Sequence, residues 1–284
     1  KRWQFRSVEI MNPLRIILKN LIHFRRQNIG IILGAVLCGI VLTGALTVGD
    51  SVRSTLHSMA KKRIGKGDIA MLSPDGFFEE SLASRVQLKL MNDGATVAPI
   101  VLTRGTLTTP DGSLRVANVQ VLGVDERFWK LAPNLSRTPV GSWFKDKGFP
   151  VWNKEQFFVN ERLGGRLKIK SDDRLILRME EPSLFSKDAP LSGERDNKFV
   201  TMNKSFGASI SPEGFGNFGL QGNQNEPLTL FVSLEVLQKK LFRSLDEVSG
   251  STQYANFLLL GSNGLSEIKL ENAKEVLNKS WTLT

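Results

Sequence analysis

Few residues in this chain have the type and spacing that chemistry needs. Gly214-Phe-Gly216-Asn-Phe-Gly219 fits G-x-G-x-x-G, the spacing that lets a backbone approach a pyrophosphate. That site also needs a strand before it and a helix after it, so that the helix N-terminus faces the phosphates. Here Gln, Asn and Pro follow, and a glycine-rich loop is the simpler reading. No P-loop pattern exists, so the chain is not expected to hydrolyse ATP. The carboxylate pairs Glu79–Glu80, Asp172–Asp173 and Glu180–Glu181 are adjacent in sequence. Adjacent side chains diverge on a helix or a strand, so these pairs read as solvated surface, not as a general acid and base. The two histidines, His23 and His57, flank an apolar run and have no acidic or cysteine neighbour at metal spacing. The one cysteine, Cys38, lies inside that run and reads as a small packing residue. Catalytic, cofactor-binding and metal-binding residues are therefore each expected to be none.

The apolar run is the strongest signal in the chain. Ile29 to Gly49 is 21 residues without a charge. As a helix rising about 1.5 Å per residue it spans roughly 31 Å, close to the hydrocarbon core of a bilayer. A signal peptide has an apolar core of about 7–15 residues and then a small-x-small cleavage site. This run is longer, and helical periodicity continues past it through Val52, Leu56 and Met59. We read 29–49 as a transmembrane helix and 50–66 as its helical extension. Small residues recur along the span at Gly30, Gly34, Gly39, Thr43 and Gly44, which lets a second helix approach closely. These five are the expected helix-packing positions.

Upstream, Asn12 and Pro13 mark a helix start. Leu14, Ile17, Leu18, Leu21 and Ile22 then form an apolar stripe, with Arg15, Lys19, His23 and Arg26 mostly opposite. The pattern predicts an interfacial amphipathic helix within 1–28, turning into the membrane at Gln27–Asn28, with Arg15, Lys19, Arg25 and Arg26 at the lipid headgroups. Net charge is +10, and residues 1–28 carry seven basic side chains against Glu9 alone. The basic excess thus belongs to a membrane flank, and nucleic acid is not an expected partner. Basic residues tie on the two sides of the span, so charge alone orients it weakly.

Beyond the span, composition is that of a globular protein and the periodicities are mixed. Strands are expected at 68–72, 96–107, 114–124, 167–169, 175–179, 229–232 and 254–260. Helices are expected at 77–92, 126–131, 156–166, 233–242 and 265–281. Thr109-Pro-Asp-Gly112 is a turn between the second and third strands. Residues 182–227 read as a long, polar, glycine-rich loop. The fold class is α+β: one N-terminal transmembrane helix, then an extracytoplasmic mixed domain with a β-rich inserted subdomain. The expected division is 67–147 for the first part of the α+β subdomain, 148–245 for the β-rich subdomain, and 246–284 for the return strand and helix.

Three stretches together resemble the FtsX-like permease family of ABC transporters with a MacB-type extracytoplasmic core domain. They are Met11-Asn-Pro-Leu-Arg through the span to Gly49-Asp-Ser-Val-Arg; Val121-Leu-Gly-Val-Asp-Glu-Arg-Phe-Trp; and Phe158-Val-Asn-Glu-Arg-Leu-Gly, with strand 174–181 and Leu230-Phe-Val-Ser-Leu-Glu-Val-Leu-Gln. The resemblance implies a natural start at Met11, a cytoplasmic N-terminus and a domain outside the bacterial inner membrane. It also implies further transmembrane helices of a longer protein, a dimer of permeases, and a separate cytoplasmic ATPase subunit that would bind ATP. The chain would then be a non-catalytic permease component coupling ATP hydrolysis to motion of its outer domain, for export or extraction of an envelope substrate. Two other readings fit the residues: a membrane-anchored sensor that binds a small ligand, and an anchored hydrolase with a convergent carboxylate pair.

Overall fold

The protein is described by a computed structural model. It covers residues 13–73, 76–90, 94–141, 152–170, 173–182, 199–220, 225–243, 252–262 and 270–281. Side chains of 13–16 and 18 fall outside the described set. The chain divides into two units, 1–57 and 58–284.

The first unit holds helix α1 (Pro13–His23) and most of α2 (Arg25–Ile64). The break between them lies at Phe24, not at Gln27–Asn28 as expected. Asn28 Nδ2 donates to the Leu21 carbonyl at 3.1 Å, recapturing an acceptor that the broken helix leaves free. No residue of the 40-residue α2 is buried. Among the described residues it is the one helix long and apolar enough to cross a membrane.

The second unit is built on strands β1 (Gly67–Leu72), β2 (Phe78–Glu79), β3 (Ala95–Thr108), β4 (Arg115–Val124), β5 (Gln156–Asn160), β6 (Arg174–Glu180), β7 (Phe199–Ile210), β8 (Thr229–Ser233), β9 (Tyr254–Ala255) and β10 (Phe257–Ser262). Helices α3 (Ser81–Lys89), α4 (Glu126–Lys130), α5 (Glu161–Leu167), α6 (Leu234–Leu241) and α7 (Leu270–Ser280) pack around them. The hairpin β3–β4 forms where alternation predicts it, turning through Gly112 at φ +72°.

The pairings close a ring. β3 pairs β4, β4 pairs β8 in parallel, β8 pairs β5, β5 pairs β7 in parallel, β7 pairs β6, and β6 returns to the far half of β3. The 14-residue length of β3 makes this possible: Val101 to Thr108 hydrogen-bond β4, while Gly105 to Thr108 also meet β6 on the other side. A side chain there would be costly. A Cβ on Gly105 would stand 2.9 Å from Leu177 Cδ1 and 3.0 Å from the Arg178 carbonyl oxygen. The near half of β3 instead carries β10, which carries β1. Strands of 67–147 and of 148–245 thus share one ring.

Period-2 alternation sorts the side chains between two cores. Val121, Phe157, Val159, Leu177, Met202 and Leu230 belong to a cluster that every strand of the ring feeds, capped by Leu163 of α5 and Leu237 of α6. Leu122, Phe158, Ala208 and Phe231 face a second cluster, which is aromatic, with Phe128, Trp129, Phe215, Phe218 and Phe257. A third cluster joins α3 and α7 to β3 and β10.

Several local expectations need correction. Residues 156–166 are not one helix. Phe157, Phe158 and Val159 are all buried, which suits a central strand, and helix begins only after Asn160 caps it through the Leu163 amide. The expected strand at 167–169 is absent, because Leu167 closes α5 and Lys168 turns left-handed at φ +48°. Residues 77–80 are not helical: Phe78–Glu79 pair with β9, and α3 starts at Ser81. The long loop 182–227 contains the 12-residue strand β7, whose polar composition hid its pairing on both edges. The strand at 254–260 is split by Asn256. Its side chain accepts from the Leu102 amide and donates to the Leu102 carbonyl, both at 2.8 Å, standing in for a backbone partner. Residues 265–269 of the last expected helix lie outside the described residues.

Candidate functional site

The second unit holds two candidate sites, the seat of the α2 terminus and a polar recess.

Ile64 packs against the aromatic cluster, and the chain then leaves the helix through Gly65 at φ +64°. Only glycine adopts that backbone without strain. The space is equally restrictive: a Cβ there would lie 2.6 Å from the Leu131 carbonyl oxygen and 2.7 Å from Phe215 Cε1. The next residue, Lys66, donates its amide to that same Leu131 carbonyl at 2.8 Å. A Cβ on Gly261 of β10 would stand 2.1 Å from the Lys66 carbonyl oxygen. The Leu131 carbonyl, the Phe215 ring and the backbone of Gly261 thus close around residues 64–67.

The G-x-G-x-x-G segment packs beside this seat. Phe215 and Phe218 are buried beside Phe128, with Phe215 stacked on it at 4.7 Å between ring centroids. Gly216 is required because a Cβ would sit 2.3 Å from the Ile210 carbonyl oxygen, and Gly214 because one would sit 2.3 Å from that of Arg137. The glycines serve close backbone packing, and among the described residues the next element is strand β8, not a helix whose N-terminus could face phosphate.

The recess, of about 270 Å³, opens where the parallel strands β4 and β8 end at Val124 and Ser233. Crevices at the carboxyl ends of parallel strands are recurrent ligand positions in α/β sheets. Most of its charges are paired. Arg127 binds Glu80 at 2.8 Å and Asp125 at 2.6 Å, and Asp125 also caps α4. Gln238 donates to Glu80 Oε2 at 3.0 Å. Lys154 and Lys239 both hold Glu235. Hydrogen bonding from Lys154, then from Lys239, lowers the Glu235 carboxyl to about 2. Glu80 is therefore a network residue, with 19% of its side chain exposed, where sequence adjacency suggested free surface. Neither histidine lies in this unit. Among the described residues no group of three His, Cys, Asp or Glu could hold a metal ion.

In the first unit, Gly30, Gly34, Gly39 and Gly44 have no atom within 4 Å of an added Cβ. Thr43 is exposed and turns its hydroxyl onto the Gly39 carbonyl at 2.7 Å, so it offers little to a distant partner. Lys19, Arg25 and Arg26 are exposed around the α1–α2 break. The Arg15 side chain lies outside the described set. Gly65 and Leu131 were not singled out from sequence; the only available signal was a glycine just past a helix end.

The chain matches no protein-family model and no curated protein. Among solved structures it is similar to the periplasmic region of MacB from Actinobacillus actinomycetemcomitans, with a TM-score of 0.36 and 11% sequence identity, over 77% of this chain and 84% of that one.

Proposed function

We propose that this chain is a membrane-anchored, non-catalytic permease component whose second unit stands outside the bacterial inner membrane and moves with the help of a separate cytoplasmic ATPase. The observation that carries this reading is α2. Residues 29–49 of this helix are uncharged and exposed, and Ile64 in its last turn packs against the aromatic cluster. Between residues 29 and 49 stand eleven Ile, Leu and Val. At roughly −0.3 to −0.6 kcal/mol each on an insertion scale, they favour the bilayer by about 3–7 kcal/mol. Left in water, the same side chains have no partner in the described structure. A helix hydrogen-bonded throughout satisfies its own backbone in lipid, and a stiff helix ending in a tight seat suits the transmission of motion. The resemblance to FtsX-like permeases supplies the ATPase, the further helices and the pairing of permeases as expected partners.

The test is topological. In a Cys38→Ser background, Ser113→Cys in the β3–β4 turn should react with a membrane-impermeant maleimide in intact spheroplasts. The protein should stay in the pellet after alkaline carbonate extraction. Release into the supernatant as a detergent-free monomer, or labelling only after lysis, would overturn the reading.

The recess at the ends of β4 and β8 favours a second reading, an anchored sensor that takes a small polar ligand there. A ligand-dependent change in Trp152 fluorescence, with no response to an ATPase subunit, would select it.

A further inference from the structure

The recess beyond the ends of β4 and β8 holds two buried polar groups that the protein leaves unused. Ser233 closes β8 and stands at the N-terminus of α6, 4% exposed. Its position is that of a helix cap, yet its side chain caps no amide of the first turn and makes no other hydrogen bond among the described residues. The leading amides of the eight-residue α6 therefore lack the partner that a capping serine supplies. Gln238, further along the same helix and 3% exposed, has the opposite need. Its Nε2 donates to Glu80 at 3.0 Å and to the Tyr254 carbonyl at 2.9 Å, which fixes the orientation of the amide. Its Oε1 then accepts from nothing among the described residues. Both side chains line the same recess. Glu126 lines it too, exposed and without an ion pair among the described residues. Trp152 forms a wall, its ring held against Trp129 at 5.2 Å and Phe158 at 5.1 Å between centroids.

We propose that the recess binds a small α-amino acid as its zwitterion. The carboxylate meets the Ser233 hydroxyl and the first amides of α6, and the ammonium group meets Gln238 Oε1 and Glu126 beside the Trp152 ring. The inference rests on reading the recess as the site of a small polar ligand, and not on the membrane span. Charge selects the zwitterion. A helix N-terminus attracts an anion and by itself would suit a phosphate. Here four carboxylates, Glu80, Asp125, Glu126 and Glu235, line the recess, and Lys154 is the one cation lining it among the described residues. Arg127 and Lys239 pair with these carboxylates from outside, which leaves four acids against three cations. A doubly charged anion is repelled by that excess. A simple amine would satisfy Gln238 and leave Ser233 and the α6 amides unmatched. A ligand with both charges serves both ends, and its ammonium gains further from the aromatic wall. The dimensions agree. From Ser233 to Gln238 the helix rises about 7.5 Å. The ammonium nitrogen and a carboxylate oxygen of an α-amino acid lie about 3 Å apart, and a hydrogen bond of about 2.8 Å at each end extends the reach to roughly 8.5 Å. The volume of about 270 Å³ admits a ligand of few atoms.

Isothermal titration calorimetry of the full chain in nanodiscs tests this with L-alanine and its two halves, ethylamine and propionate. L-alanine should bind with a Kd at or below about 1 mM, within reach of a ligand of about six heavy atoms. Each half should bind at least about tenfold more weakly. Ser233→Ala breaks no side-chain hydrogen bond within the described protein. It should weaken L-alanine by about tenfold or more, from the loss of one hydrogen bond to a charged group, and leave ethylamine where it was. Glu126→Gln, at an exposed position, should weaken L-alanine by about two- to fivefold and should not weaken propionate. Ethylamine or propionate binding as tightly as L-alanine would overturn the zwitterion and leave the recess as a ligand site. L-alanine binding that neither variant weakens would lie elsewhere on the protein, which overturns the assignment. Silence from all three probes up to about 10 mM would mean that water satisfies both buried groups, and would overturn the reading of the recess together with the inference.

Discussion

Replacing Gly65 by alanine tests whether the α2 terminus is held as tightly as its geometry indicates. Two costs are separable. A left-handed backbone at φ +64° costs an L residue about 1–2 kcal/mol. The new Cβ must also displace the Leu131 carbonyl, 2.6 Å away, or the Phe215 ring, 2.7 Å away. The Leu131 carbonyl cannot retreat freely, since it accepts the Lys66 amide, and losing that bond costs a further 1–3 kcal/mol or so. The sum is about 2–5 kcal/mol, or roughly 4–20 °C in melting temperature for a unit of this size. Gly94 and Gly112 provide controls, with φ +64° and +72° and no atom within 4 Å of a Cβ. Gly94→Ala and Gly112→Ala should cost only the backbone part, about 1–2 kcal/mol. Tryptophan-fluorescence melts of the three variants in the full chain measure the difference directly. If Gly65→Ala melts within about 0.5 kcal/mol of Gly94→Ala, the seat is loose, and transmission through it loses its structural basis.

Substitutions and a titration elsewhere have expected outcomes of their own. Asn160→Ala should destabilise by about 3 kcal/mol in the same melts. It removes the acceptor of the Leu163 and Thr229 amides and the donor to the Pro227 carbonyl at the β5–β8 seam. Thr229→Val beside it should be neutral or gain up to about 1 kcal/mol, since the buried Thr229 hydroxyl has no partner among the described residues; a larger loss for Thr229→Val than for Asn160→Ala would invert the assignment. The Glu235 carboxyl should titrate by NMR near 2, so its contribution to stability is present above about 4.5 and fades as pH falls toward 2. In Lys154→Ala the midpoint should rise yet stay below 4.5, because Lys239 remains; an unmoved midpoint would refute the pairing. Gly39→Leu in the full-length protein should impair transport while the second unit melts unchanged, and normal transport would end the proposal that the α2 glycines pack against other helices.

Legibility in the sequence followed the range of the interactions. The apolar run, the β3–β4 hairpin and the turn at Thr109–Gly112 were readable because they depend on neighbours in sequence. The segment 156–166 misled because Phe157, Phe158 and Val159 bury both faces of a strand, which erases the alternation that marks a half-exposed one. Strand β7 was invisible for the opposite reason. Its Asn203, Lys204 and Ser205 carry little β signal, and its position is set by β5 and β6. Ring closure through β6 and β3 joins residues about seventy apart in sequence and has no local signature at all.

The same reasoning explains what could be anticipated of the candidate site. A glycine after the last turn of a helix suggests a left-handed exit, and Gly65 adopts one. What restricts that exit is the Leu131 carbonyl after α4, the Phe215 ring in the glycine-rich turn, and the close approach of Gly261 in β10 to Lys66. Each was legible alone as something else: a helix end, a failed nucleotide motif, an apolar strand. Gly214, Gly216 and Gly261 are each within 2.4 Å of a backbone carbonyl oxygen if given a Cβ, so their glycine identity records contacts between backbones, which composition and periodicity do not encode. The motif that looked most like chemistry is thus the aromatic wedge beside which α2 ends. Its fitness as packing comes from the two phenylalanines buried between its glycines.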